Sequence, residues 1–274
     1  MEKLKKKDNF LFWLYTFLVL LILSFAVFAP WLVPYDPFDA VMRQSLQAPS
    51  DDHLFGTDKL GRDCLSRIIY GARTSLMMTL SLVAIITVVG TSIGVVAGYM
   101  GGKVDTVLMR IVDMMLAFPG IVLAIAIAGM LGGNIVNAIL ALAAVSWTKY
   151  ARLGRSLTLK LRQRDFIDAA VTSGSRPLHI LWRHILPNIL PTIVVTAAMD
   201  IGTMIMELAG LSFLGFGAQP PTPEWGLMLN EGRQHIQTAP WLMLYPGAAI
   251  LMVVTIFNLW GDSLRDIMDP QRSN

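Results

Sequence analysis

The sequence predicts an all-α integral membrane protein with six membrane-crossing helices and both termini in the cytoplasm. Three observations carry that expectation. Of the 274 residues, 54% are hydrophobic and only 15% are charged, and mean hydropathy is +0.57, whereas soluble domains carry about a quarter charged residues. Charge-free runs recur at lengths that cross roughly 30 Å of hydrocarbon at about 1.5 Å per residue. Positive residues fall in blocks between those runs and so orient them by the positive-inside rule. The net charge of +3 is therefore an effect of topology and gives no sign of nucleic-acid binding.

The first run, Asn9 to Pro34, follows Lys3, Lys5, Lys6 and Lys7. It exceeds the roughly 7 to 15 apolar residues of a signal core and lacks a small-residue cleavage site, so a retained helix with its N-terminus inside is expected. Tyr35 to Arg73 is then an outer excursion of mixed charge. Within it Cys64 to Tyr70 reads either as a short helix on the membrane surface or as an extension of the next span. The second span is expected over Thr74 to Gly102 and the third over Val107 to Leu131, with Arg110 and Asp113 pairing at i and i+3. Gly132 to Asn134 break an apolar run too long for one helix, which makes Ile135 to Tyr150 the core of a fourth span.

Lys149, Arg152, Arg155, Lys160, Arg162, Arg164, Arg176 and Arg183 form the strongest positive block and must lie inside. A fifth span follows over Asn188 to Gly215, then an outer loop whose prolines and Gly226 oppose a continuous helix. A sixth runs from Trp241 to Trp260, and the tail ends inside.

No phosphate loop, zinc-protease helix or nucleophile elbow occurs, and the single cysteine and four scattered histidines offer no metal-ligand spacing. No catalytic residue, no metal site and no cofactor bound by this chain is expected. Energy for transport must come from a partner or an ion gradient. A gradient-driven carrier should show charged, interrupted helices in both halves, whereas the ionisable pair Asp200 and Glu207 occurs in one span only. A scaffold without transport activity would not need a lever.

A lever is legible between the fourth and fifth spans. Phe166 to Ser173 suits a short helix whose Ala169 and Ala170 let another surface approach closely, and Gly174 is placed to end it. Arg176-Pro177 forces a turn, and Leu178, Ile180, Leu181 and Ile185 begin a second helix ahead of Pro187 and Pro191. A solvated basic loop would explain the charge but not this placement. Asp168 suits the positive end of the helix dipole, so a capping role competes with a partner contact.

This stretch resembles the E-A-A, G, I-x-L-P loop of permease subunits of bacterial ATP-binding-cassette (ABC) importers. The matching residues are Asp168, Ala169, Ala170, Gly174, Ile185, Leu186 and Pro187, with Asp168 in place of the usual Glu and His184 at the usual Ile position. Arg183 to Asn188 is similar to the peptide, opine and nickel class. The stretches from Phe55, Gly101, Leu211 and Phe257 extend the likeness over most of the chain, in the form of the second, C-type, permease of a pair. The resemblance implies a type I importer permease fold in three parts. Residues 1–73 hold the first helix and an extracytoplasmic segment. Residues 74–266 form a five-helix core with a cytoplasmic coupling loop at 152–190, and 267–274 are a cytoplasmic tail. It further implies a heterodimer with a homologous permease, two ABC ATPase subunits that use ATP and Mg, an extracytoplasmic substrate-binding protein and a place in the bacterial inner membrane.

Asp200 and Glu207 share one face of the fifth span, and each would cost roughly 2.5 to 3.5 kcal/mol against lipid. They line the translocation path, with Met204 beside them, or bond to backbone or to the partner permease. The stretches from Leu161 and Met199 resemble nickel or metal-chelate members more than dipeptide permeases, so a nickel cargo is expected, with di- or oligopeptides as the alternative. The 16 methionines are read as packing residues.

Overall fold

The computed structural model describes residues 2–268. Residues 269–274 of the predicted tail lie outside the described residues, as do the side chains of the N-terminal lysine cluster. Ten α-helices are present among the described residues. These are α1 (Glu2–Leu32), α2 (Cys64–Met100), α3 (Gly102–Leu116), α4 (Gly120–Leu131), α5 (Ile135–Arg162), α6 (Asp165–Thr172), α7 (Pro177–Ile180), α8 (Leu186–Phe213), α9 (Trp225–Gly232) and α10 (Trp241–Met268). There is no β-strand among them, only an isolated bridge between Thr57 and Asp63.

Of the six expected spans, four stand among the described residues as helices long and apolar enough to cross a bilayer, and a fifth only if a bent pair is counted as one. The four are Asn9–Leu32, Cys64–Met100, Pro177–Phe213 and Trp241–Met268. The third expected span is not one helix. It is α3 followed by α4, bent by 89°, because Pro119 has no amide hydrogen and drives Phe118 out of helical geometry. The fourth place, α5, carries five basic residues from Lys149 onward and crosses the packed centre of the bundle. The Cys64 to Tyr70 stretch extends α2 without a break, and Asp63 caps it by accepting from the Ser66 amide at 2.7 Å. The sixth helix continues past Trp260 to Met268, and the outer loop holds the short α9.

The tightest packing joins α2 to α5. Gly90, Gly94 and Gly98 form one stripe on α2 that lies directly on the α5 backbone. A Cβ at Gly94 would sit 2.2 Å from the Ala151 carbonyl oxygen, and one at Gly90 2.3 Å from that of Trp147. Such small-residue seams replace the hydrophobic drive that lipid removes. The seam fixes α5 in rotation and height, so that Lys149 and Tyr150 meet α8. The α3 helix docks on α5 through ion pairs, Arg152 to Asp113 at 2.6 Å and Arg155 to Asp105. The expected Arg110–Asp113 pair is thereby corrected. Asp113 faces α5, where a guanidinium from another helix reaches it.

Replacing Gly94 by Leu should part α2 from α5 and destabilise the chain by about 1–3 kcal/mol or more. A fall in the thermal unfolding midpoint of the purified protein checks this, and an unchanged midpoint would refute the seam.

Candidate functional site

Three polar assemblies are arranged along the bundle. The first is the handle between α5 and α8. Asp165 and Asp168 occupy the first turn of α6, where carboxylates complement the helix dipole. Gly174 ends the helix with φ +76°, its amide bonding the Val171 carbonyl while that of Ser175 reaches Ala170. Pro177 opens α7, and a wider π-type turn at Leu181–Ile185 leads into α8, so that Leu186 and Pro187 stand in the first helical turn.

Ile167, Ile180 and Ile185 are buried and root this unit in the bundle. Asp168, Ala169 and Gly174 are exposed, Ala170 and His184 half-buried. Phe166, Leu178 and Trp182 also stand exposed, and the His184 ring lies between those of Phe166 and His179. An exposed cluster of large apolar and small residues on a rooted helix pair is the character of a protein-binding surface. Phe166 and Trp182 were legible as apolar residues in a basic loop, but not as exposed ones.

The second assembly lies within the bundle. The Asp200 carboxylate accepts from Lys149 Nζ at 2.5 Å and from the Tyr150 hydroxyl at 2.8 Å, which ties α8 to α5. Lys149 was expected only as part of the orienting basic block, and its identity as the partner of Asp200 is new. Glu207 is half-buried further along α8. Met204 is buried in the core, whereas Met206 is exposed. Among the described residues no three His, Cys, Asp or Glu side chains converge as metal ligands.

The third assembly gathers residues 53–75 and α9. Arg62 and Arg67, each 1% exposed, both donate to Glu231, at 3.2 and 3.1 Å. Arg62 also donates to Asp58 at 2.6 Å, and His53 meets Asp63 at 2.9 Å. Glu224 caps α9 through the Gly226 and Leu227 amides and accepts from Ser75 of α2. Burial pushes its carboxyl above the usual carboxylate range, against the opposing hydrogen bonds from Gly226, Leu227, Ser212 and Ser75. The mixed charges of the outer excursion are therefore a buried network that seats residues 35–63 on α2 and α9.

A buried pair that loses one member costs about 3–5 kcal/mol, because the remaining charges stay desolvated. Glu231→Ala should therefore lower the unfolding midpoint strongly. Arg152→Ala breaks a pair whose side chains are both more than half exposed and should cost less than about 1 kcal/mol. Equal shifts would contradict the assignment.

The sequence matches the family model of binding-protein-dependent transport system inner membrane components over residues 90–274. It also matches the N-terminal membrane domain of oligopeptide transport permease C over residues 7–49. It is 47% identical to the dipeptide transport system permease protein DppC of Alkalihalophilus pseudofirmus, over 92% of this chain and 84% of that one. It is 48% identical to the glutathione transport system permease protein GsiD of Escherichia coli, with the same coverage. The fold is similar to a solved structure of the MetNI methionine ABC transporter in inward-facing conformations. The TM-score is 0.61 and identity 20%, over 75% of this chain and 98% of that chain.

Proposed function

The chain belongs to the family of binding-protein-dependent transport system inner membrane components, as a C-type permease subunit of an ABC importer, and from that premise we propose that its cargo is small peptides. The carrying observation is the identity of 47% and 48% to permeases named for dipeptide and glutathione transport. The nickel or metal-chelate cargo expected from the sequence draws no support from those relatives. Asp200, already paired with Lys149, also offers a cation no uncompensated carboxylate.

In this reading the chain crosses the bacterial inner membrane six times with both termini in the cytoplasm. It pairs with a homologous permease to form half of a translocation path, on which Asp200 and Glu207 lie. Two ATPase subunits hydrolyse the ATP, one of them gripping α6 at Asp168, Ala169 and Ala170, while a binding protein delivers cargo to the outer end. The handle supports this role because it is exposed where small residues allow close contact and rooted by Ile167, Ile180 and Ile185, so a rigid displacement is transmitted rather than absorbed. Met204, buried in the core, serves packing.

The deciding experiment is uptake by a strain lacking the gene, with and without the restored chain, comparing labelled di- and tripeptides with trace radioactive nickel. Loss and restoration of peptide uptake is expected. Loss of nickel uptake alone would overturn the peptide assignment.

A further inference from the structure

Lys149 is anomalous for a residue near the middle of the bundle. Its partner Asp200 is buried, yet the lysine side chain itself is 57% exposed on the single chain. An ammonium carries three donors. One goes to Asp200, and two are left for something beyond this chain.

The same face carries a second irregularity. Val145, one turn before Lys149 on α5, lies against Gly120 at the start of α4, so the 89° break between α3 and α4 stands beside the lysine. Residues 116–120 at that break are exposed. Interrupted backbone at membrane depth is tolerated only against protein or water, and a charged side chain against lipid is costly. Two independent features therefore turn this face toward an aqueous path or the partner subunit.

Glu207 completes the arrangement. It lies seven residues beyond Asp200, on the same face of α8 and about 10 Å further along the axis. It is partly exposed. Glu207 thus stands about the length of an extended tripeptide along α8 from the Asp200 that holds Lys149.

We propose that Lys149 receives the terminal carboxylate and Glu207 the terminal ammonium of a zwitterionic peptide in transit, with Asp200 and Tyr150 holding the Lys149 ammonium in position. The inference rests on the peptide cargo proposed above and adds the residues that recognise it. The apolar side chains of a peptide need no fixed partner here, which suits a path that accepts many sequences of similar length.

The test uses the complete importer, with its ATPase subunits and binding protein, in proteoliposomes supplied with labelled trialanine or trialanine amide. With rates normalised to the amount of assembled importer, Lys149→Met should lower the ratio of trialanine to trialanine amide uptake roughly tenfold. An equal loss for both peptides would overturn the proposal and leave Lys149 a structural residue. A second variant exchanges the pair, Lys149→Asp with Asp200→Lys, and restores the α5–α8 ion pair with reversed polarity. Assembly with the partner subunits but no recovery of trialanine uptake is expected, whereas recovery to the unmodified rate would overturn recognition. If the unmodified importer carries neither peptide, the cargo assignment fails first, which the variant ratio alone would not show.

Discussion

The contact on which the rest of the architecture depends is the Asp200 carboxylate held between Lys149 and Tyr150. It joins α5 to α8, the two helices that flank the handle. A carboxylate in such a place must be paired, so the register of one helix against the other is fixed by chemistry as well as by packing. With α5 and α8 clamped at Lys149 and Asp200, the segment between them is a closed bracket rather than a free loop.

Three further constraints make the bracket stiff. The Gly90, Gly94 and Gly98 stripe lets α5 lie on α2 at backbone distance, and the pairs to Asp105 and Asp113 hold α3 to the same helix. At the other end Ile167, Ile180 and Ile185 plug α6 and the π-type turn into the bundle. The break at Pro119 bends α3 away from α4 by 89°. The outer network around Arg62, Arg67 and Glu231 plays the matching part on the opposite side, seating a polar segment on the ends of α2 and α9.

How far this was legible in the sequence depended on the range of the signal. The handle was readable because its signs are local: paired alanines, Gly174 where a left-handed residue must end the helix, and Pro177 where the next begins. The break at Pro119 had an equally local sign, but its apolar surroundings favoured one continuous span. The Asp200 pair was not readable. Lys149 lies 51 residues away, and only the rotation imposed by the α2 glycines brings it to α8. The outer network was hidden for the same reason, since Arg62 and Glu231 are 169 residues apart and their charges look like ordinary loop polarity. The resemblance carried the family, while the cargo lay in the finer differences among its members, where nickel was expected and the relatives point to peptides.

The central claim is that the handle and the two helices flanking it move as one body. Spin labels at exposed positions, one replacing Ala169 on α6 and one replacing Leu140 near the outer end of α5, would measure it directly in the assembled importer with Cys64 changed to Ser. The account predicts that this distance within the chain changes by no more than about 1–2 Å between nucleotide-free and ATP-trapped states, while the distance from α6 to its counterpart in the partner permease shifts by more. A large change within the chain would mean that the handle yields, and would contradict the account.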